Sequence, residues 1–188
     1  MMSVEPEAVV IGTSAGAVEA LSVILPALPR EFRLPVIVVV HVPADKRSVM
    51  AELFRSKCQL DVLEAEDKEP IVGGRIYFAP PNYHLLVEVD RALSLSSDEP
   101  VLFSRPSIDV LFESAAEAYG PGLIAIVLTG ANHDGASGLR AIVDAGGVAV
   151  VQDPATAFMP TMPEAAILKC PGARVMSLAA ITQYLKEV

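Results

Sequence analysis

The stretch "VIGTSAGAVEAL" at residues 10–21 has the pattern of a buried strand that ends in a turn of small residues and continues into a helix. The turn, Gly12-Thr13-Ser14-Ala15-Gly16, fits the G-x-S-x-G pattern that places a nucleophilic serine between a strand and a helix. Small residues are also common where any strand meets a helix. The motif alone therefore leaves Ser14 either as a nucleophile or as one small residue of a tight turn.

Strand and helix patterns alternate along the rest of the chain. Several strand patterns are apolar on both faces, which is typical of a parallel sheet covered by helices. The predicted strands are 8–12, 35–41, 75–80, 84–89, 123–130 and 147–152, and the predicted helices are 17–27, 48–57, 107–119, 135–145, 162–169 and 178–186. We predict a doubly wound α/β fold with a mostly parallel sheet and helices on both faces. Two runs separated by "PPNY" within 71–95 predict a short antiparallel hairpin at one edge of the sheet.

Length and composition limit the classes of protein. The chain has 188 residues, 52% of them apolar, which suits one domain, and we predict a single catalytic domain over residues 1–188. No apolar run reaches the roughly 18–20 residues of a membrane span, and the first residues lack a signal-peptide pattern. We therefore expect a cytoplasmic protein. Two distant cysteines, Cys58 and Cys170, are expected to be ordinary reduced thiols.

The net charge of −9 argues against sequence-independent binding of nucleic acid and against an anionic membrane surface. A negatively charged partner would need a local basic patch. Arg30, Arg33, Lys46 and Arg47 flank the second predicted strand and could form one, or they could be solvated surface charges.

Reactive side chains follow three of the predicted strands. Ser14 follows the first strand, His41 ends the second, and Asp134 follows the fifth. Ligands of open α/β sheets bind outside the carboxyl ends of the strands, so these side chains should converge. A serine hydroxyl needs an adjacent base, an imidazole suits that role, and a carboxylate can orient the imidazole. We predict that Ser14 attacks, His41 transfers the proton and Asp134 orients His41.

Other assignments stay open for the same region. His133 is next to Asp134 in sequence and competes with His41 as the base. Asp134 could also cap the helix predicted at 135–145, because aspartate is favoured at that position. The histidines and Asp134 lack the spacing of a known zinc motif, so we predict no metal site.

Backbone amides are the expected donors to a developing oxyanion. The helix that follows Ser14 points its first N–H groups toward the reacting centre, and the loop after Thr129-Gly130 could add another. The candidates are the amides of Ala15 and Ala131.

The segments "IGTSAGAVEAL", "VVVHVPADKRSVMAELF", "RIYFAPPNYHLLVE", "RPSIDVLFESAA", "IVLTGANHDGASGL" and "QDPATAFMPTMPEAAI" resemble, in this order, the catalytic domain of the CheB-type chemotaxis protein-glutamate methylesterase. The resemblance covers nearly the whole chain and implies a doubly wound α/β domain with a Ser–His–Asp triad. It places that triad on Ser14, His41 and Asp134. The order Ser, His, Asp differs from the Ser, Asp/Glu, His order of ordinary α/β hydrolases.

The resemblance also implies the reaction. The expected substrate is a glutamate γ-methyl ester on the cytoplasmic helices of a methyl-accepting chemoreceptor, hydrolysed to glutamate and methanol. Deamidation of receptor glutamines is implied as a second activity, and no metal or organic cofactor is required. A separate regulatory protein is a further expected partner, because the family's receiver domain is absent from this sequence.

Three positions depart from the family pattern, and two more remain ambiguous. The family has Thr-Gly-Gly after the serine where this chain has Ala15-Gly16-Ala17, and it often has Met where this chain has Ala131. Arg105 could contact an acidic receptor surface or could brace the start of the following helix. His84 matches a family position but is expected to pack at the sheet edge.

Two other functions remain alternatives to the methylesterase. The altered turn after Ser14 is compatible with a signalling or binding module of the same fold that has lost efficient chemistry. A small-molecule carboxylesterase would use the same three residues, because specificity depends on the surface around the site.

Overall fold

The computed structural model describes residues 3–42 and 48–188, and its central element is a seven-stranded sheet in which every neighbouring pair is parallel. The strands, in chain order, are β1 Ala8–Thr13, β2 Val36–Val40, β3 Asp61–Glu64, β4 Arg75–Phe78, β5 His84–Val87, β6 Leu93–Ser96, β7 Leu123–Val127, β8 Val148–Gln152 and β9 Arg174–Met176. The sheet order is β3-β4-β2-β1-β7-β8-β9, and β5 and β6 form a separate antiparallel pair.

The described residues form six α-helices, which connect and cover the strands. They are α1 Ala17–Ile24, α2 Met50–Arg55, α3 Ile108–Tyr119, α4 Ala136–Asp144, α5 Thr161–Lys169 and α6 Leu178–Glu187, with short 3₁₀ turns at Leu25–Ala27, Gly120–Gly122 and Pro154–Thr156. Within residues 3–42 and 48–188, no helix combines the length and the apolar character needed to cross a membrane.

Two apolar layers lie on opposite faces of the sheet, because successive strand residues point to opposite sides. In β1, Val10 belongs to the layer packed against α3, α4 and α5, whereas Val9 and Ile11 belong to the layer packed against α1, α2 and α6. Every residue of β1, β2 and β7 is buried. Burial on both faces explains why these strands are continuous apolar runs.

The predicted fold class is confirmed, and each predicted strand and helix overlaps an observed one. The hairpin differs in its pairing: the run 75–80 contributes β4 to the parallel sheet, and β5 pairs instead with β6 in a sheet of its own. The pattern analysis missed β3, β6 and β9, which are only three or four residues long and partly exposed.

Candidate active site

The topology brings the predicted site residues to the carboxyl edge of three adjacent strands. β1 lies between β2 and β7, so Ser14 immediately follows the central strand of the three. Thr13 pairs with Val40 in register, and the backbone amide of His41 donates to the Thr13 carbonyl at 3.2 Å. Ser14 and His41 therefore occupy equivalent positions on neighbouring strands, whose backbones run about 5 Å apart.

Asp134 is completely buried, and both of its carboxylate oxygens accept two hydrogen bonds. Oδ1 accepts from the Ser107 hydroxyl and the Asp109 amide, both at 2.9 Å. Oδ2 accepts from the Ile108 amide and from His41 Nε2, both at 2.7 Å. Three of the four donors belong to the start of α3, where the first N–H groups lack an acceptor within the helix and therefore favour an anion.

These contacts hold the Asp134 carboxylate in its charged form. Burial acts to raise the pKa of Asp134, but the hydrogen bonds from His41 and from the Asp109 and Ile108 amides outweigh it, and the pKa is lowered. A charged carboxylate at 2.7 Å from Nε2 fixes the proton of a neutral His41 on Nε2 and would stabilise its imidazolium. Nδ1 is then the ring nitrogen that is free to accept a proton.

Asp134 does not cap the helix that follows it, in contrast to the alternative considered from the sequence. The N-cap of α4 is Gly135, without a side-chain cap, and Asp134 binds the start of α3 instead. Asp109, in the first turn of α3, accepts from the Gly135 and Gly138 amides at 3.0 and 2.7 Å. Asp134 therefore accepts from the first amides of α3, and Asp109 accepts from the amides at the start of α4.

Burial raises the pKa of Asp109 to about 6, and the nearby charge of Asp134 adds to this effect against the lowering by the Gly138 amide. Neither Ser107 nor Asp109 was singled out as a site residue from the sequence. The local sequence signal that could have pointed to Ser107 is a serine at the N-cap position of α3. The Ser107 hydroxyl accepts from the Val110 amide at 3.5 Å and donates to Asp134.

The two glycines of the G-x-S-x-G motif are required by the backbone around Ser14. A Cβ on Gly12 would collide with the Ile108 side chain of α3. Gly16 has a φ of +86°, which disfavours any residue with a side chain, and a Cβ at this position would also lie 2.7 Å from Phe158 Cβ. The motif therefore lets α3 and Phe158 approach the serine turn closely.

Thr129, two residues after the end of β7, is hydrogen-bonded to the turn that carries Ser14. Its carbonyl accepts from the Ser14 amide at 2.9 Å and from the Thr13 hydroxyl at 2.8 Å. Its hydroxyl donates to the Ala15 carbonyl at 2.8 Å and accepts from the Met159 amide at 2.9 Å. Its own amide donates to the buried Gln152 side chain. Sequence reasoning missed both Thr129 and Gln152, because their contacts join segments far apart in the chain.

Ser14 is partly exposed, and no hydrogen bond joins its hydroxyl to His41 or to any other residue that the structure describes. The structure thus brings His41 and Asp134 into direct contact and places Ser14 beside them without closing the Ser14–His41 bond. Hydroxyl and imidazole side chains rotate readily, and hydrogen bonds between catalytic groups often tighten only with substrate bound.

The two amides predicted as oxyanion donors are free within the described part of the chain. Neither the Ala15 nor the Ala131 N–H donates a hydrogen bond there. The Ala15 amide lies in the turn between β1 and α1, and Ala131 is exposed in the loop between β7 and α4. Both remain candidates on this geometry.

Arg105 does not brace the start of α3, because Ser107 is the N-cap and Pro106 lies outside the helix. The guanidinium donates instead to the Ser97 and Asp98 carbonyls and to Asn82 Oδ1. It borders a cavity of about 370 Å³ that His41 also lines, and its Nε is buried without a partner.

His84 is buried in β5 rather than packed at the edge of the main sheet. Its Nδ1 accepts from the Ser107 amide at 3.2 Å, and its Nε2 donates to the Glu99 carbonyl at 2.9 Å. His84 therefore supports Ser107, which in turn donates to Asp134.

Those of the remaining sequence candidates that the structure describes make no hydrogen bond to Asp134. His133 is exposed and makes no hydrogen bond to Asp134, so His41 alone among the histidines contacts that carboxylate in the described residues. Arg30 and Arg33 precede β2, at the opposite end from His41, and Lys46 and Arg47 lie outside the described residues. The described ranges contain no group of three or more His, Cys, Asp or Glu side chains that could hold a metal ion.

Comparison with known proteins gives a consistent picture. Residues 9–185 match the family model described as CheB methylesterase. The crystal structure of the Thermotoga maritima CheB methylesterase catalytic domain superimposes with a TM-score of 0.92 and 32% identity, covering 98% of this chain and 99% of that one.

Relatives of known name are similar over nearly the whole chain. A Leptospira interrogans protein provisionally named protein-glutamate methylesterase/protein-glutamine glutaminase is 49% identical over 177 residues, which are 94% of this chain and 92% of that protein. The protein-glutamate methylesterase/protein-glutamine glutaminase of group 2 operon from Rhodospirillum centenum is 34% identical over 187 residues, covering 97% of this chain and 47% of the relative.

Proposed function

The chain belongs to the CheB methylesterase family, and from this premise we propose that it hydrolyses glutamate γ-methyl esters on the cytoplasmic helices of methyl-accepting chemoreceptors. The same chemistry on a glutamine side chain would release ammonia, so we include protein-glutamine deamidation. This substrate places the activity in the cytoplasm. The observation that carries the proposal is the 2.7 Å contact between His41 and the buried, charged Asp134, next to Ser14 at the carboxyl edge of the sheet.

In the proposed mechanism the Ser14 oxygen attacks the ester carbonyl carbon while its proton passes to His41 Nδ1. Asp134 stabilises the imidazolium through Nε2. The free amides of Ala15 and Ala131 donate to the oxyanion. Collapse of the tetrahedral intermediate breaks the bond to methoxide, which leaves with the proton from His41 as methanol.

The second half of the reaction hydrolyses the glutamyl ester of Ser14. His41 removes a proton from a water molecule that attacks the acyl carbon, and returns that proton to the Ser14 oxygen as glutamate is released. The enzyme is restored, and the sum is ester plus water giving acid plus methanol. No step requires a metal ion or an organic cofactor.

Arg105 is proposed as a substrate contact. Its guanidinium borders the cavity that His41 lines, so its positive charge can attract an acidic side chain of the receptor. A local cation is needed for such a contact, because the net charge of −9 repels an acidic partner at longer range.

Methanol release from a methylated receptor cytoplasmic fragment tests the proposal. Ser14→Ala should lower turnover by several orders of magnitude, whereas Ser56→Ala, which changes an exposed serine at the end of α2, should not alter it. Unchanged turnover in folded Ser14→Ala protein would refute the assignment of the nucleophile. Ammonia release from the same fragment with glutamine at the methylation site tests deamidation.

A weakly catalytic signalling module is the second candidate, favoured by the open Ser14–His41 geometry and by Ala15 in place of the family's threonine. A fluorophosphonate probe distinguishes the two. Rapid labelling of Ser14 that is lost in Ser14→Ala supports the enzyme, and absence of labelling in folded protein supports the module.

A further inference from the structure

A two-residue turn at Leu102 and Phe103 adopts a conformation that its own residues disfavour. Val101 and Ser104 exchange two backbone hydrogen bonds of 3.0 and 2.9 Å, which close the chain around the turn. Leu102 has a φ of +47° and Phe103 a φ of +64°. Positive φ at both central residues is the pattern of a type I′ turn, for which Asn and Gly are strongly preferred. Bulky side chains at both positions are unfavourable for folding.

Packing does not compensate for this backbone conformation. The Phe103 side chain is fully exposed, at 103% of its reference area, and Leu102 is 50% exposed. An exposed aromatic ring on a strained turn adds nothing to the core. Strained residues of this kind concentrate at ligand-binding sites, which points to a binding role for this turn.

The turn lies beside the candidate active site. Phe103, His41 and Arg105 border the same cavity of about 370 Å³. Phe103 supplies an apolar wall, and the Arg105 guanidinium supplies a positive charge. The cavity thus offers one apolar and one cationic contact next to the imidazole that would act on the ester.

We propose that the Leu102–Phe103 turn and this cavity form a subsite for the substrate polypeptide, in which an apolar side chain packs on Phe103 and an acidic side chain binds Arg105. The inference rests on the proposed function, because the occupant is the chain segment next to the reacting glutamyl ester. Charge complementarity supports an acidic occupant, because Arg105 gives this cavity a positive charge in a molecule whose net charge is −9.

The subsite predicts opposite effects on stability and on substrate binding. The double variant Leu102→Asn/Phe103→Gly places the preferred residues of a type I′ turn and should raise the melting temperature by about 2–4 °C. It should also weaken binding of the methylated receptor fragment about tenfold, because the aromatic contact is lost. A residue with only a structural role would not combine higher stability with weaker binding.

Calorimetric titration of the methylated fragment into Ser14→Ala protein measures this affinity without turnover. The double turn substitution in that background should raise Kd about tenfold, and Val89→Ala, an exposed apolar residue outside the cavity, should leave Kd unchanged. Arg105→Gln should also weaken binding and reduce its dependence on salt. An unchanged Kd in the turn variant would overturn the subsite.

Hydrolysis of p-nitrophenyl acetate by protein with an intact Ser14 separates the two proposals. The turn variant should lose much less activity on this small ester than on the receptor fragment, because the ester carries no polypeptide to occupy the subsite. Equal losses on the small ester and on the receptor fragment would overturn the subsite. A wild-type protein that binds the fragment but hydrolyses neither substrate would refute the proposed function and leave the affinity test decisive for the subsite.

Discussion

Asp134→Asn probes the proposed site most directly, because the substitution keeps the shape of the side chain and changes its charge and its hydrogen bonding. Asparagine replaces one carboxylate oxygen by an NH₂ group. In this structure each oxygen faces two donors, and one of each pair is a backbone amide that cannot reverse its role. Whichever way the amide is oriented, its nitrogen opposes the N–H of Ile108 or Asp109.

The expected loss follows from these two orientations. One buried backbone N–H loses its acceptor in either case, so the free energy of unfolding should fall by about 1–3 kcal/mol. With the nitrogen toward His41, Nε2 must accept and the proton moves to Nδ1, which can then no longer receive the Ser14 proton. With the nitrogen toward Asp109, the imidazolium loses its carboxylate. We expect kcat to fall by about 1,000- to 10,000-fold.

Single-turnover and steady-state methanol release, together with urea denaturation, measure both quantities. Asp144→Asn is the matched control: this aspartate forms an exposed pair with Arg140 on α4, and its loss should change stability by less than about 0.5 kcal/mol. Turnover within tenfold of wild type in folded Asp134→Asn protein would refute the role assigned to the carboxylate.

Three further predictions concern the surrounding residues. Gly16→Ala should lower the free energy of unfolding by about 1–3 kcal/mol in denaturation experiments, since its φ is +86° and Phe158 blocks a Cβ, whereas Gly172→Ala, with open space around it, should be nearly neutral. Asp109→Asn keeps the acceptor for its two amides and removes a charge whose pKa is raised to about 6. The wild-type protein should therefore become less stable as the pH rises from about 4 to about 6, because the buried carboxyl ionises in that range. Above about pH 6 the variant should be the more stable by about 1–3 kcal/mol, and below about pH 4 the two should be similar, as urea titrations at the two ends of the range would detect. Thr129→Val should lower kcat about 10- to 100-fold by releasing the Ala15 carbonyl, and Thr129→Ser should recover most of it in the methanol assay; equal defects in both variants would contradict the role of the hydroxyl.

The convergence of Ser14, His41 and Asp134 could be predicted from the sequence because it follows from a rule of parallel sheets. Each residue follows an apolar strand pattern, and the carboxyl ends of parallel strands lie at one edge. The prediction needed no knowledge of side-chain contacts. It did depend on the three strands being neighbours, which the sheet order β2-β1-β7 provides.

The strand pairing around β4 could not be predicted in the same way. The run 84–89 is close in sequence to 75–80, which favours a hairpin, but β4 is inserted between β2 and β3 in the parallel sheet. β3 and β9 are sheet edges, short and half exposed, so they lack the apolar pattern of the central strands. Their position depends on long-range pairing rather than on local sequence.

The contacts of the two aspartates were also beyond local reasoning. Asp134 precedes α4 and therefore has the pattern of a cap for that helix, and Asp109 lies in the first turn of α3. Packing of α3 against α4 brings each carboxylate to the amino end of the opposite helix. Such an exchange has no signature in either segment alone, because each acceptor is more than twenty residues from its donors.

This exchange has a consequence for how the site is maintained. A carboxylate buried as deeply as Asp134 would be unstable as an anion unless donors surrounded it. Here the donors are the first amides of α3, which themselves need acceptors. The contacts that begin α3 thus also keep Asp134 charged for His41. Substitutions at Asp134 should therefore affect stability and turnover together, whereas those at the partly exposed Ser14, whose hydroxyl has no hydrogen bond in the described residues, should affect turnover alone.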